Sequence, residues 1–208
     1  RCRLSNNELS TLPPMSRDIT ILVDVSVSMA SSLDAISLSL AQTLVKLPRG
    51  DRFNIVAFAE KRVKCFPQFV EPTSENMSAI SSFLKKAKCG RSTDLYGALN
   101  EVTGLYNRSL ENRHFQMLLI SDGEPTSGMQ DNLKVLDAIS QINFKGVSID
   151  GVIHAEATES LLDLLSYITG GVTKFYSNRR DIAGLIEQLL LVDPITITGI
   201  SVSAKNAR

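Results

Sequence analysis

Three stretches of this chain carry side chains that could do chemistry together. Asp24-Val25-Ser26-Val27-Ser28 places three oxygen-bearing side chains at alternate positions. Gly90-Arg91-Ser92-Thr93-Asp94 adds hydroxyls and a carboxylate, and Ser121-Asp122-Gly123-Glu124 adds two more acids. Hydroxyls and carboxylates with no His or Cys among them form a hard-oxygen donor set. Mg²⁺ prefers that set, at near-octahedral geometry with some waters retained; Mn²⁺ and Ca²⁺ are the alternatives. Asp24, Ser26, Ser28, Thr93 and Asp122 are the candidate metal residues. Hydroxyls with only two carboxylates leave an ion short of ligands and positively biased, so a partner's carboxylate can supply the missing one. Asp94 and Glu124 stand beside these positions. Each reads either as a second layer that orients the site or as a solvated loop charge.

Each of these stretches must be held by a regular element. Ile19–Val23, Phe53–Phe58, Phe115–Ile120 and Val147–Ile153 are nearly continuous apolar runs of strand length. Such runs belong to strands covered by helices on both faces, the parallel-sheet arrangement. Arg62 to Phe66 is shorter and more polar, and follows Phe58 after a tight turn, which predicts a hairpin and an antiparallel edge strand. Six stripes at helical spacing alternate with the strands: Leu33, Ile36, Leu40, Leu44 and Leu47; Met77, Ile80, Phe83 and Leu84; Leu95, Leu99, Val102 and Leu105; Leu133, Leu136 and Ile139; Leu161, Leu162, Leu165 and Ile168; and Ile182, Leu185, Ile186 and Leu189. The expectation is a doubly wound α/β fold, Rossmann-like, with a mostly parallel central sheet and helices on both faces. Ligands of such folds bind beyond the carboxyl ends of the strands. Asp24 and Asp122 follow directly on the first and third apolar strands, at that edge.

The 208 residues fit one such domain with short extensions. Residues 1–16 read as a linker with Pro13-Pro14, and residues 17–192 as the domain. Residues 193–208 read as a strand-like extension that starts an adjoining domain or packs back on this one. The first residue is Arg1, so the chain reads as part of a larger one. The formal net charge is +0, which argues against a nucleic-acid surface. No apolar run approaches the roughly 18–20 residues that span a bilayer. Cys2, Cys65 and Cys89 match neither a zinc site nor a redox pair; Cys65 and Cys89 are either free or bridged. Asn76-Met77-Ser78 and Asn107-Arg108-Ser109 match the glycosylation acceptor pattern. A bridge or a sugar would place the chain outside the cell or at its surface, the location this reading favours; free thiols would place it inside.

The Asp24-Val25-Ser26-Val27-Ser28, Thr93 and Asp122 pattern resembles the metal-ion-dependent adhesion site of von Willebrand factor A domains. Gly50-Asp51-Arg52-Phe53, Ser121-Asp122-Gly123, and Thr169-Gly170-Gly171 before Phe175-Tyr176 look like further landmarks of that family in the right order. The resemblance runs from about Asp18 to Val192. The Pro13-Pro14 lead-in, Ser16-Arg17-Asp18 and Val192-Asp193-Pro194 are similar to the inter-α-trypsin inhibitor heavy chain and calcium-channel α2δ subgroup. The resemblance implies that Ser26, Ser28 and Thr93 touch the metal and that Asp24 and Asp122 act largely through water. It further implies a non-enzymatic module that takes an Asp or Glu of a partner protein. Val27 departs from the Gly that most members carry between the two serines. The rim around the metal is expected from Met29, Arg91, Tyr96, Glu124 and the loop after Pro125.

Other chemistries fit less well. A phosphatase using Asp24 as nucleophile wants an acid two residues on, where Ser26 stands. There is no Gly-x-Ser-x-Gly elbow and no dinucleotide fingerprint. An intracellular scaffold of the same fold, with the metal linking subunits of an assembly, is the alternative function. Arg49-Gly50-Asp51 reads as a helix stop and turn at the far end of the strands, in preference to a recognition tripeptide.

Overall fold

The computed structural model describes residues 16–87, 90–107, 113–122, 125–143, 146–154 and 161–191. The flanking segments, including Cys2 and the expected strand-like extension, lie outside these residues, as do Cys89 and Glu124. Six strands form one sheet in the order β3-β2-β1-β4-β5-β6: β1 Arg17–Asp24, β2 Arg52–Phe58, β3 Arg62–Lys64, β4 His114–Ser121, β5 Ser148–His154 and β6 Thr173–Tyr176. All neighbours are parallel except β2 and β3, which form the expected antiparallel hairpin. β6 is a strand that apolar patterning did not reveal. It is four residues long, lies at the sheet edge and buries only Tyr176, so it has no apolar run.

Helices cover both faces. α1 (Leu33–Leu44), α2 (Ser74–Lys86) and α6 (Ile182–Leu190) pack on one face, against Ile19, Ile21 and Val23 of β1. α3 (Leu95–Asn107), α4 (Asn132–Ile142) and α5 (Leu161–Thr169) pack on the other, against Leu22 of β1 and Met117 and Leu119 of β4. The two-residue period of a strand sends alternate side chains to opposite cores, which is why each central strand is apolar throughout. Ile36, Leu40 and Leu44 of α1 are wholly buried. Each contributes about 1.5–3 kcal/mol relative to remaining exposed. The helix ends at Leu44, and the turn after it closes at Pro48 and Gly50, whose φ of +96° suits a residue without Cβ.

Two stripes differ from expectation. Leu133 is 76% exposed; the buried side chains of α4 are Val135 and Ile139, with Leu136 partly covered. Asp131 caps this helix by accepting from the Lys134 N–H, and the face that packs on the sheet is the one carrying Val135 and Ile139. In α5 the stripe ends at Leu165, because Ile168 beyond it is 45% exposed.

The amino ends of the strands hold a buried polar network. Arg17 pairs with Asp51 at 2.6 Å, and Asp18 accepts from both Arg52 and Arg113. Gln116 donates to Asp150 and to the Leu189 carbonyl, tying α6 to β4 and β5. Asp51 of the Arg-Gly-Asp stretch is therefore enclosed, and its N–H donates to the Pro48 carbonyl in the turn. Among the described residues no helix is long and apolar enough to cross a membrane. Cys65 is half-buried, and burial pushes its thiol up to about 11. Asn76 of the first acceptor pattern lies in the first turn of α2 and donates to the Glu71 carbonyl.

Candidate functional site

Asp24 is the last residue of β1 and is completely buried. Its Oδ1 accepts the Ser26 N–H at 2.8 Å and its Oδ2 accepts the Ser121 hydroxyl at 2.7 Å. Burial raises its pKa and these hydrogen bonds lower it; the nearby charge of Asp122 raises it further. The two acids thus sit at the ends of adjacent strands within electrostatic reach of each other. Asp122 itself is half-buried.

The chain leaving Asp24 does not turn away at once. The Val25 N–H donates to the Phe58 carbonyl, the Gly90 N–H to Val25 and the Val27 N–H to Gly90. Ser26 and Gly90 thereby form a short parallel bridge beyond the sheet. Gly90 has no alternative residue here, since a Cβ would stand 2.4 Å from that of Ala59. The bridge brings the serine loop and the Thr93 loop together. Val27, in the position where most family members have Gly, is 62% exposed and points away from the core.

The Ser26 and Ser28 hydroxyls lie 2.9 Å apart. Neighbouring ligands of an octahedral Mg²⁺, each about 2.0–2.1 Å from the ion, are about 2.9–3.0 Å apart. The donor set fits such an ion, and the two hydroxyls, hydrogen-bonded to each other here, already stand at that spacing. Among the described residues no group of three or more His, Cys, Asp or Glu is clustered. The candidate site is instead rich in hydroxyls.

Thr93 is buried and its loop is clamped. Its N–H donates to the Thr126 hydroxyl at 2.8 Å, and its carbonyl accepts the N–H groups of Thr126 and Ser127. The segment following Asp122 therefore closes against Thr93. Asp94 is neither a free loop charge nor a rim group. Its carboxylate accepts from Arg62 at 2.8 Å and from the Gly97 N–H at 3.0 Å, at the start of α3.

The residues expected at the rim fall in different places. Met29 is 2% exposed and belongs to the core beneath α1, because the turn Val27–Ser32 folds it inward. It is a packing residue and not a rim residue. Arg91 is exposed, with its N–H held by Glu60, and Tyr96 is half-buried against the α3 core. Glu124 falls outside the described residues. Tyr176, unnoticed from the sequence as a site neighbour, is buried at the end of β6; burial raises its pKa, the Ser32 side chain lowers it, and the charges of Asp122 and Asp24 raise it further. Its ring meets His154 edge-on at 5.2 Å. Beside it, Arg179 donates to the Ser31 hydroxyl at 2.6 Å. Ser121 was legible as part of the strand-end motif. The reach of Arg62 from the hairpin had no local signal.

A doubly wound α/β domain with hydroxyls and carboxylates gathered at the carboxyl edge of its sheet is the class this arrangement defines. Residues 17–175 match the von Willebrand factor type A domain family, and the chain belongs to that family. It is 25% identical over 132 residues to inter-alpha-trypsin inhibitor heavy chain H1 of Sus scrofa, covering 60% of this chain and 15% of that protein. To heavy chain H6 of Homo sapiens it is 24% identical over 193 residues, 86% of this chain and 15% of the relative. The chain thus spans a small part of these relatives. Among solved structures, a von Willebrand factor type A protein from Catenulispora acidiphila superposes with a TM-score of 0.71 at 15% identity. That match covers 85% of this chain and 42% of the other. The TFIIH p34 N-terminal domain superposes at 0.61 with 16% identity, over 84% and 97%. These likenesses show the fold.

Proposed function

We propose that this domain is a non-enzymatic protein-binding module that grips an acidic residue of its partner through one divalent metal, Mg²⁺ in the first instance. The observation that carries this is the pair of Ser26 and Ser28 hydroxyls 2.9 Å apart, in front of the buried and twice hydrogen-bonded Asp24. Ser26, Ser28 and Thr93 would hold the ion, and Asp24 and Asp122 would balance its charge through water. When bound, the ion supplies a Lewis-acidic position that an Asp or Glu carboxylate of a partner protein can occupy. The residues of this chain supply the rest. Asp24 orients Ser26 through its N–H, and the Gly90 bridge keeps the serine loop against the Thr93 loop.

A metal–carboxylate contact is generic, so the rim gives specificity. Arg91 and Tyr96 are assigned to the Thr93 side of this rim, the exposed Arg179, which donates to Ser31, to the other, and Glu124 to the rim with them. The exposed arginines favour an acidic partner surface and would speed its encounter. The matches cover 15% of the two heavy chains, and this domain is read as one binding element of a longer chain.

The test is a calorimetric titration with Mg²⁺ and with Mn²⁺ of the wild type and Asp122→Ala. One-site binding that disappears in the variant supports the reading. A wild type that binds neither ion, or a variant that binds as well, overturns it.

A further inference from the structure

Asp94 follows Thr93 directly, yet its carboxylate is turned away into a small enclosure. Arg62 donates to Oδ2 from the β2–β3 hairpin, and the Gly97 N–H donates to Oδ1 from the first turn of α3. Two glycines form the walls. A Cβ at Gly97 would stand 2.2 Å from Oδ2, and one at Gly128 would stand 2.2 Å from Oδ1. Gly128 has φ +68°, a conformation that a larger residue rarely adopts. It follows Thr126 and Ser127, whose N–H groups bind the Thr93 carbonyl. The backbone of Asp94 is fixed too, by donation to the Ala59 carbonyl. One carboxylate therefore touches the hairpin, the α3 start and the segment that comes on from Asp122. Arg62 is itself braced by Glu101 of α3 at 3.0 Å.

We propose that Asp94, held by Arg62, is a positioning residue that sets the Thr93 hydroxyl against the Asp122 loop, and so determines the metal affinity of the site. This rests on the metal-binding reading given above for its affinity part, and on the hydrogen-bond geometry alone for its positioning part. Ion pairing at 22–27% side-chain exposure contributes little to global stability. Its effect is local, in the way a partner behind a metal ligand tunes that ligand.

The experiment compares wild type with Asp94→Asn, Arg62→Gln and Arg62→Lys. Amide hydrogen exchange is measured without metal, and Mn²⁺ affinity by calorimetry. Thr126 and Ser127 amides are expected to exchange about tenfold faster in Asp94→Asn and Arg62→Gln, with the β1 amides unchanged. Mn²⁺ affinity is expected to fall about tenfold or more in both, with Arg62→Lys recovering part of it. An Asp94→Asn/Arg62→Gln double variant should bind no more weakly than Asp94→Asn alone, since both changes break the same contact. Unchanged exchange at Thr126 and Ser127 overturns the proposal, whether or not metal binds. Faster exchange with unaltered Mn²⁺ affinity overturns the affinity part. A wild type without metal affinity removes the metal reading instead, and the exchange result then decides the positioning role by itself.

Discussion

The Ser121 hydroxyl, at the end of β4, donates to Asp24 Oδ2 at the end of β1 across 2.7 Å. The two strands are neighbours in the sheet, so the contact joins the first and the last of the three segments that build the site. It also supplies one of the donors that keep a wholly buried carboxylate tolerable. Ser121→Ala should therefore destabilise the metal-free domain by about 1–3 kcal/mol, through an acceptor left without its donor. Urea unfolding in chelator measures it. A loss below a few tenths would show that Asp24 finds another partner.

Gly90 presses against Ala59 where a side chain has no room. Gly90→Ala should cost about 1–3 kcal/mol by overpacking. It should also part the Ser26 and Gly90 segments and weaken Mn²⁺ binding. A companion Ala59→Gly change makes space for the new methyl, so the double variant should regain most of the affinity. Calorimetry on the two variants checks this, and an unaltered single variant would show that the bridge is dispensable.

At the other end of the sheet, Arg17 is 1% exposed and Asp51 2% exposed, paired at 2.6 Å. Removing one partner leaves an uncompensated buried charge. Asp51→Ala should destabilise by about 3–5 kcal/mol. Metal affinity of the folded fraction should not change, because Asp51 lies at the amino ends of the strands and the site at the carboxyl ends. Thermal melts with and without Mn²⁺ separate the two effects.

Burial, and then the positive charge of Arg17, hold the His114 pKa below its ordinary value, against the smaller opposing pull of Asp150 and Asp51. The folded state thus takes up a proton less readily than the unfolded chain. The stability associated with His114 is complete above the unfolded pKa of about 6.5 and is lost as pH falls from there toward the lower folded value. Unfolding midpoints should drop between pH 7.5 and pH 5.5, and His114→Gln should flatten that part of the drop. Parallel profiles for the two proteins would rule out His114 as the cause.

By itself, the sequence determined the architecture and most of the candidate donors. Continuous apolar runs such as Phe115–Ile120 demand cover on both faces, and the helical stripes between them supply it. A parallel sheet then puts Asp24 and Asp122 at one edge, because each follows directly on a buried strand. What only tertiary structure decided depends on contacts between residues far apart in the chain. Met29 lies inside because of the turn Val27–Ser32, although its neighbours Ser28 and Ala30 are exposed. Leu133 points outward because the helix packs on the sheet through Val135 and Ile139. Tyr176 reaches the site because β6 pairs with β5, and Asp94 is locked because Arg62 arrives from a hairpin 32 residues earlier. Periodicity reports which face of an element is apolar. It carries no record of which distant side chain will meet a given carboxylate, since that is settled only when the elements pack.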